Sequence, residues 1–145
     1  TMSVPELHPQ LLADCHVLGA MPSGSLLLSR NATLHWFILV PDATEADLLD
    51  LPPVRLEAVM RDCRAVSGYL KQALAYPKVN FAGLGNIVPQ MHLHIIGRRH
   101  SDPCWPQPVW GKLPPGPDWQ ERELEALREV LIAPSAHLMR SWHRE

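Results

Sequence analysis

No window of 18 consecutive apolar residues occurs in the 145-residue chain, so no segment reads as a membrane span. No C-x-x-C pair occurs either. The three cysteines, Cys15, Cys63 and Cys104, are odd in number and far apart, and a reduced, cytoplasmic setting is the simplest expectation. Basic residues are not in excess: 13 Lys and Arg stand against 15 Asp and Glu, a net charge of −2. That balance argues against a nucleic-acid surface, yet leaves room for a local anion site built from backbone N–H groups. The N-terminal residues lack the basic region and apolar run of a secretory signal. No internal repeat is visible.

What is present is globular in character, with 46% hydrophobic and 19% charged residues. The length predicts one domain over 1–145, with a core at about 7–111 and a helical tail at about 118–145. Fifteen prolines and eight histidines are the unusual counts. Six prolines fall within 103–117, which predicts a stiff, irregular loop, packed down by Trp105 and Trp110.

A short helix is expected within 7–15. The runs Ser25-Leu26-Leu27-Leu28-Ser29 and Trp36-Phe37-Ile38-Leu39-Val40 predict two buried strands joined by a turn at 30–33. Leu56, Val59, Cys63, Val66, Leu70 and Leu74 keep helical spacing, so one long amphipathic helix is expected over about 53–75, with Asp50 as its cap. A strand over 78–83 and a tight loop over 83–89 follow. Asp118 and Glu121 predict the capping box of a last helix. An antiparallel sheet crossed by one long helix, with a helical tail, is an α+β architecture.

The chemistry concentrates in Gln90-Met91-His92-Leu93-His94-Ile95-Ile96-Gly97-Arg98. Read as a strand, it sends Gln90, His92 and His94 to one face, with alternate Cα atoms ~6.6–6.8 Å apart, and Met91, Leu93 and Ile95 to the core. Two histidines on one face support nucleophilic attack at phosphorus, with the second imidazole contacting phosphate oxygens. They also support metal ligation, but no Asp or Glu lies on this strand to complete a ligand set. A plain reading also stands: both rings are satisfied, partly exposed strand residues. His35 reads as structural, while His8, His16, His137 and His143 read as surface residues. Cys104 has no base partner in its neighbourhood.

Asn80, Gly83 and the run Gly85-Asn86-Ile87-Val88-Pro89-Gln90-Met91-His92-Leu93-His94-Ile95-Ile96 resemble the histidine triad (HIT) family, whose signature alternates three histidines with apolar residues. The continuation Asp102-Pro103-Cys104-Trp105-Pro106 through Trp110-Gly111 looks like a bacterial HIT-like branch. The resemblance implies an α+β domain that pairs into a homodimer. It implies hydrolysis or transfer at a nucleotide α-phosphate, with no metal or other cofactor; dinucleoside polyphosphates and nucleoside phosphoramidates are the substrate types. By position, His92 matches the nucleophile that forms a nucleotidyl-histidine, and His94 the histidine that contacts the phosphate. Gln90 occupies the first histidine position of the catalytic motif. Asn86 falls at a phosphate or leaving-group contact, Asn31 near the ribose, and Asn80 where an Asn steadies the loop. Gly85, Arg98, Trp105 and Trp110 complete the expected substrate-binding set, the tryptophans as a nucleobase wall or a latch. Gln90 departs from the pattern because an amide cannot titrate as imidazole does. Ile87 stands where many members carry a hydroxyl. These departures motivate an alternative: a nucleotide-binding module of the same fold with little catalysis.

Overall fold

A computed structural model describes residues 6–133, 138–139 and 141–142. The chain begins with α1 (Pro9–Asp14), followed by the antiparallel strands β1 (Cys15–Met21), β2 (Gly24–Ser29) and β3 (Trp36–Pro41). A 3-10 turn at Leu48–Asp50 leads into α2 (Pro53–Gln72), then β4 (Lys78–Gly83) and β5 (Leu93–Arg98). The last elements are α3 (Glu121–Ile132) and the two-residue β6 (Ser141–Trp142). The sheet order is β4-β5-β3-β2-β1-β6, with β5 inserted antiparallel beside β3. The described residues thus form an α+β structure with an antiparallel sheet, as expected.

Both faces of the sheet are covered at β2 and β3, which is why these strands read as unbroken apolar runs instead of alternating ones. Leu26, Leu28, Phe37, Leu39, Leu93 and Ile95 share a core with Val59, Cys63, Val66 and Leu70 of α2. Leu27, Ile38 and Val40 point the other way and pack with Leu11 of α1, Val17 and Val88. β1 escapes the sequence reading because Gly19 and Ala20 have low strand propensity and its register shifts between Val17 and Gly19.

Three local expectations are corrected. Asp50 does not cap α2; Pro52 takes the N-cap without a side-chain bond, and Pro53 at the first position has no N–H to satisfy. The capping box of α3 lies two residues later than expected, with Gln120 as N-cap and Glu123 as its reciprocal partner. Asp118 instead accepts from the Trp119 backbone and pairs with His16, 2.7 Å away. Among the described residues the tail is helical over Glu121–Ile132, and Ser141–Trp142 pairs with β1 as a strand. His137 and His143 lie outside the described residues. Among the described residues no helix is long and apolar enough to cross a membrane.

Candidate active site

β5 begins at Leu93, one residue later than an alternation through His92 would need, but the two histidines still meet. His94 pairs across the sheet with Ile38, on the face away from α2. The rings of His92 and His94 lie edge to face with centroids 5.0 Å apart. Both residues are buried, at 9% and 5% exposure.

Each ring uses its Nδ1 internally, in opposite senses. His92 Nδ1 lies 2.7 Å from the Gln90 carbonyl oxygen. A carbonyl only accepts, so Nδ1 carries a proton, and in the neutral ring the lone pair is on Nε2. His94 Nδ1 lies 3.0 Å from the indole Nε1 of Trp36. An indole N–H only donates, so His94 Nδ1 is bare and Nε2 carries the proton. Burial, followed by the neighbouring His92, pushes the His94 imidazole down to about 4, so it is neutral at physiological pH. Among the described residues no buried side-chain nitrogen or oxygen lacks a partner, and neither Nε2 is hydrogen-bonded. Both Nε2 atoms are therefore open to solvent. The pair presents one nucleophilic nitrogen and one N–H donor side by side.

His92 lines a cleft of about 530 Å³ between the Leu48–Asp50 turn and the loop that follows β4. Gly85, on its wall, has φ +68°, a left-handed conformation that a side chain would strain. Asn86 sits exposed next to it, and Ile87 is 90% exposed. The described lining of the cleft includes Asp47 and Asp50 and no lysine or arginine.

The other expected site residues divide. Trp110 reaches the site, packing edge to face on both His94 and Trp36. Trp105 does not; it stacks on His100 beneath the Arg98 guanidinium. Arg98 is corrected from phosphate ligand to buried strut. At 1% exposure it donates to Asp102, to Asn80 Oδ1 and to the Gln107 carbonyl, because a guanidinium inside the fold needs every donor matched. Asn80 thereby gives its Oδ1 to Arg98. Asn31 also has a structural part: its oxygen accepts from Thr33, and its amide donates to the Pro114 carbonyl, which holds the proline-rich strap over the β2–β3 turn. A Cβ at Gly116 would displace the Asn31 and Thr33 side-chain oxygens that bond each other.

Gln90 does not turn its side chain to the histidines. Its Oε1 accepts from the His8 backbone at 2.8 Å and its Nε2 donates to the Glu6 carbonyl at 3.0 Å. His35 is structural, as expected, bonded to the Tyr76 hydroxyl. His16 is half-buried against Asp118 and Arg30 instead of free on the surface. His8 caps α1 by accepting from the Gln10 backbone. The three cysteines are free and buried, and burial raises the Cys15 and Cys63 thiols to about 12. Trp36 is the residue that the sequence reading misses. It stands at the start of an apolar strand, and only the register that sets it diagonal to His94 reveals its role.

A paired-histidine site of this kind on this α+β frame defines a class, the nucleotide-acting proteins of the histidine triad type. The HIT domain model matches residues 10–101, and the chain belongs to the HIT family. A histidine triad protein of Marinobacter aquaeolei is 37% identical, with a TM-score of 0.81 over 89% of this chain and 94% of that one. One from Bradyrhizobium japonicum is 35% identical, with a TM-score of 0.80 over 87% and 94%. A third, from Sinorhizobium meliloti, is 31% identical, with a TM-score of 0.81 over 88% and 94%. A search of curated proteins finds no match to this chain. The HIT family generally acts on nucleotides through its histidines, and its members are typically hydrolases or transferases.

Proposed function

We propose that this protein is a nucleotide hydrolase or nucleotidyl transferase acting at an α-phosphate, with His92 as nucleophile. The observation that carries this reading is the opposed tautomers of two adjacent imidazoles, both with Nε2 open to solvent. His92 Nε2 attacks phosphorus in line, the P–N bond forms, and the leaving group departs with the electron pair of its bond to phosphorus. The imidazole then carries a positive charge, which the Gln90 carbonyl on Nδ1 stabilises. His94 Nε2–H donates to the phosphoryl group or the departing atom. Water next attacks phosphorus, the P–N bond breaks toward nitrogen, and a nucleoside monophosphate leaves. No metal enters these steps. The described lining of the cleft holds His92, but neither His94 nor a cationic side chain; in this reading charge stabilisation falls to neutral donors, His94 beside His92 and the backbone of the Gly85 loop.

Dinucleoside polyphosphates and nucleoside phosphoramidates are the substrate types to test. Mass spectrometry of quenched reactions is expected to find a nucleotidyl adduct on His92. His92→Ala is expected to lower turnover by at least about 10³-fold, the size of losing a covalent nucleophile. Retention of full turnover in that variant would end the assignment. A second reading, a binding module, is favoured by the Gln90 side chain being engaged elsewhere. It predicts nucleotide binding with neither adduct nor turnover.

The homodimer belongs to the same proposal. β4 is an edge strand, and Phe81 and Met60 beside it are 45% and 42% exposed. A cytoplasmic location fits three free, unpaired thiols.

A further inference from the structure

We infer that Trp36 is a positioning residue for His94, its indole N–H holding Nδ1 as an acceptor and so fixing the proton on Nε2, the atom open to solvent. The catalytic meaning of that proton rests on the function proposed above; the tautomer assignment does not.

The geometry is specific. Trp36 Nε1 lies 3.0 Å from His94 Nδ1, and the rings are tilted at 58° with centroids 5.8 Å apart. Trp110 stands edge to face against both, at 5.9 Å from Trp36 and 5.0 Å from His94, and so limits rotation of either ring. An indole donates and never accepts, and it does not titrate. A hydroxyl or a second imidazole at this place could reverse its role; tryptophan cannot. Any tautomer with Nδ1–H sets two donors against each other, and so does the doubly protonated ring.

The groups facing His94 are few. His92 is its titratable neighbour. Ile38 on β3 and Ala82 on β4 are its cross-strand partners, and Trp36 and Trp110 close the aromatic side; none of these four carries charge. Nothing in this set other than Trp36 selects between the two neutral tautomers. Trp36 therefore supplies by a permanent donor what His92 receives from a permanent acceptor, the Gln90 carbonyl. The two anchors are complementary, and together they make the pair asymmetric, one ring baring a lone pair and the other a proton.

The test is ¹⁵N NMR of the histidine rings in the full-length protein, with turnover measured in parallel. In the wild type, His94 is expected to show a pyrrole-type Nε2 and a pyridine-type Nδ1. Trp36→Phe keeps an aromatic ring and removes the donor. It is expected to give His94 a mixed tautomer population and to move its protonation midpoint upward by about one pH unit, the worth of one hydrogen bond. The parallel assay is expected to show kcat lowered by about tenfold with KM little changed. Trp110→Phe, which trims the other indole on the same ring, is expected to leave the tautomer as it was. A wild-type spectrum with Nδ1 protonated on His94 would overturn the inference even if Trp36→Phe fails to fold, as would a Trp36→Phe spectrum with an unaltered tautomer and midpoint. If the tautomer shifts but His92→Ala keeps its turnover, the proposed function fails and the role of Trp36 in holding the His94 proton stands.

Discussion

At one end of β5, His92 and His94 each commit a single ring nitrogen to the protein and leave the other open. At the other end, Arg98 commits all three guanidinium nitrogens, to Asp102, Asn80 and Gln107, with Trp105 beneath it. All three side chains are buried and polar, and only three residues separate His94 from Arg98. In the sequence they look alike, as polar positions on an apolar strand. The difference is residual hydrogen-bonding capacity. A buried polar group whose donors and acceptors are all matched serves the fold, and one held by half its capacity is available for chemistry. Arg99, which is only partly buried, is held by its neighbours as well. It lies 4.0 Å over the Tyr76 ring and donates to the Leu74 and Ala75 carbonyls that follow α2, so it too is scaffold.

The comparison breaks most visibly at Arg98. Arg98→Met leaves Asp102, whose side chain is 2% exposed, as a buried charge without its partner. The expected cost is about 3–5 kcal/mol of stability, or a Tm lower by on the order of 10 °C. Calorimetry or chemical denaturation measures it, and the loss is expected in stability and not in kcat of the folded fraction. A variant as stable as the wild type, but with a raised KM for nucleotide, would return Arg98 to the site.

The His94 end sharpens the comparison through pH. Its imidazole is lowered from 6.5 to about 4 in the fold, so between these values the unfolded chain binds a proton that the folded chain refuses. Stability is then fully present above about pH 6.5 and falls as pH drops toward about 4, by on the order of 3 kcal/mol from this group. His94→Asn keeps an oxygen that can accept from Trp36 but removes the titration. Urea unfolding at about pH 7.5 and about pH 4.5 is expected to show a smaller acid loss in the variant than in the wild type. Equal losses would mean that His94 is not held neutral.

Much of this was legible in the residues. Helix α2 announces itself because Val59, Cys63, Val66 and Leu70 repeat at the helical period, and this stripe is the one the core buries. The paired histidines and the glycine turn are a local pattern, and local patterns survive folding. The Arg98 strut and the Asn31 anchor were not legible, because their partners Asp102, Gln107 and Pro114 belong to a proline-rich stretch whose path no periodicity encodes. Trp36 and His94 are 58 positions apart and meet only through the β3–β5 register. Strand β1 was hidden by its own small residues. Contacts between distant segments set polar roles, and a single sequence shows composition long before it shows such contacts.

The smallest effect expected lies at Gln90, the place where this chain departs from the three-histidine pattern. Its amide spans an acceptor and a donor two residues apart, the Glu6 carbonyl and the His8 N–H, and so ties the N-terminal segment to the residue whose own carbonyl orients His92. An amide offers both functions from one planar end. An imidazole offers them from opposite sides of its ring and cannot meet both backbone groups at once. Gln90→Ala is expected to cost about 1 kcal/mol, because both bonds are partly solvated. Gln90→His is expected to do the same and to raise hydrogen exchange at the His8 amide without raising turnover. Should Gln90→His instead keep that amide protected and turn over faster, the position would belong with the open-ended histidines, and the division drawn along β5 would have to be moved.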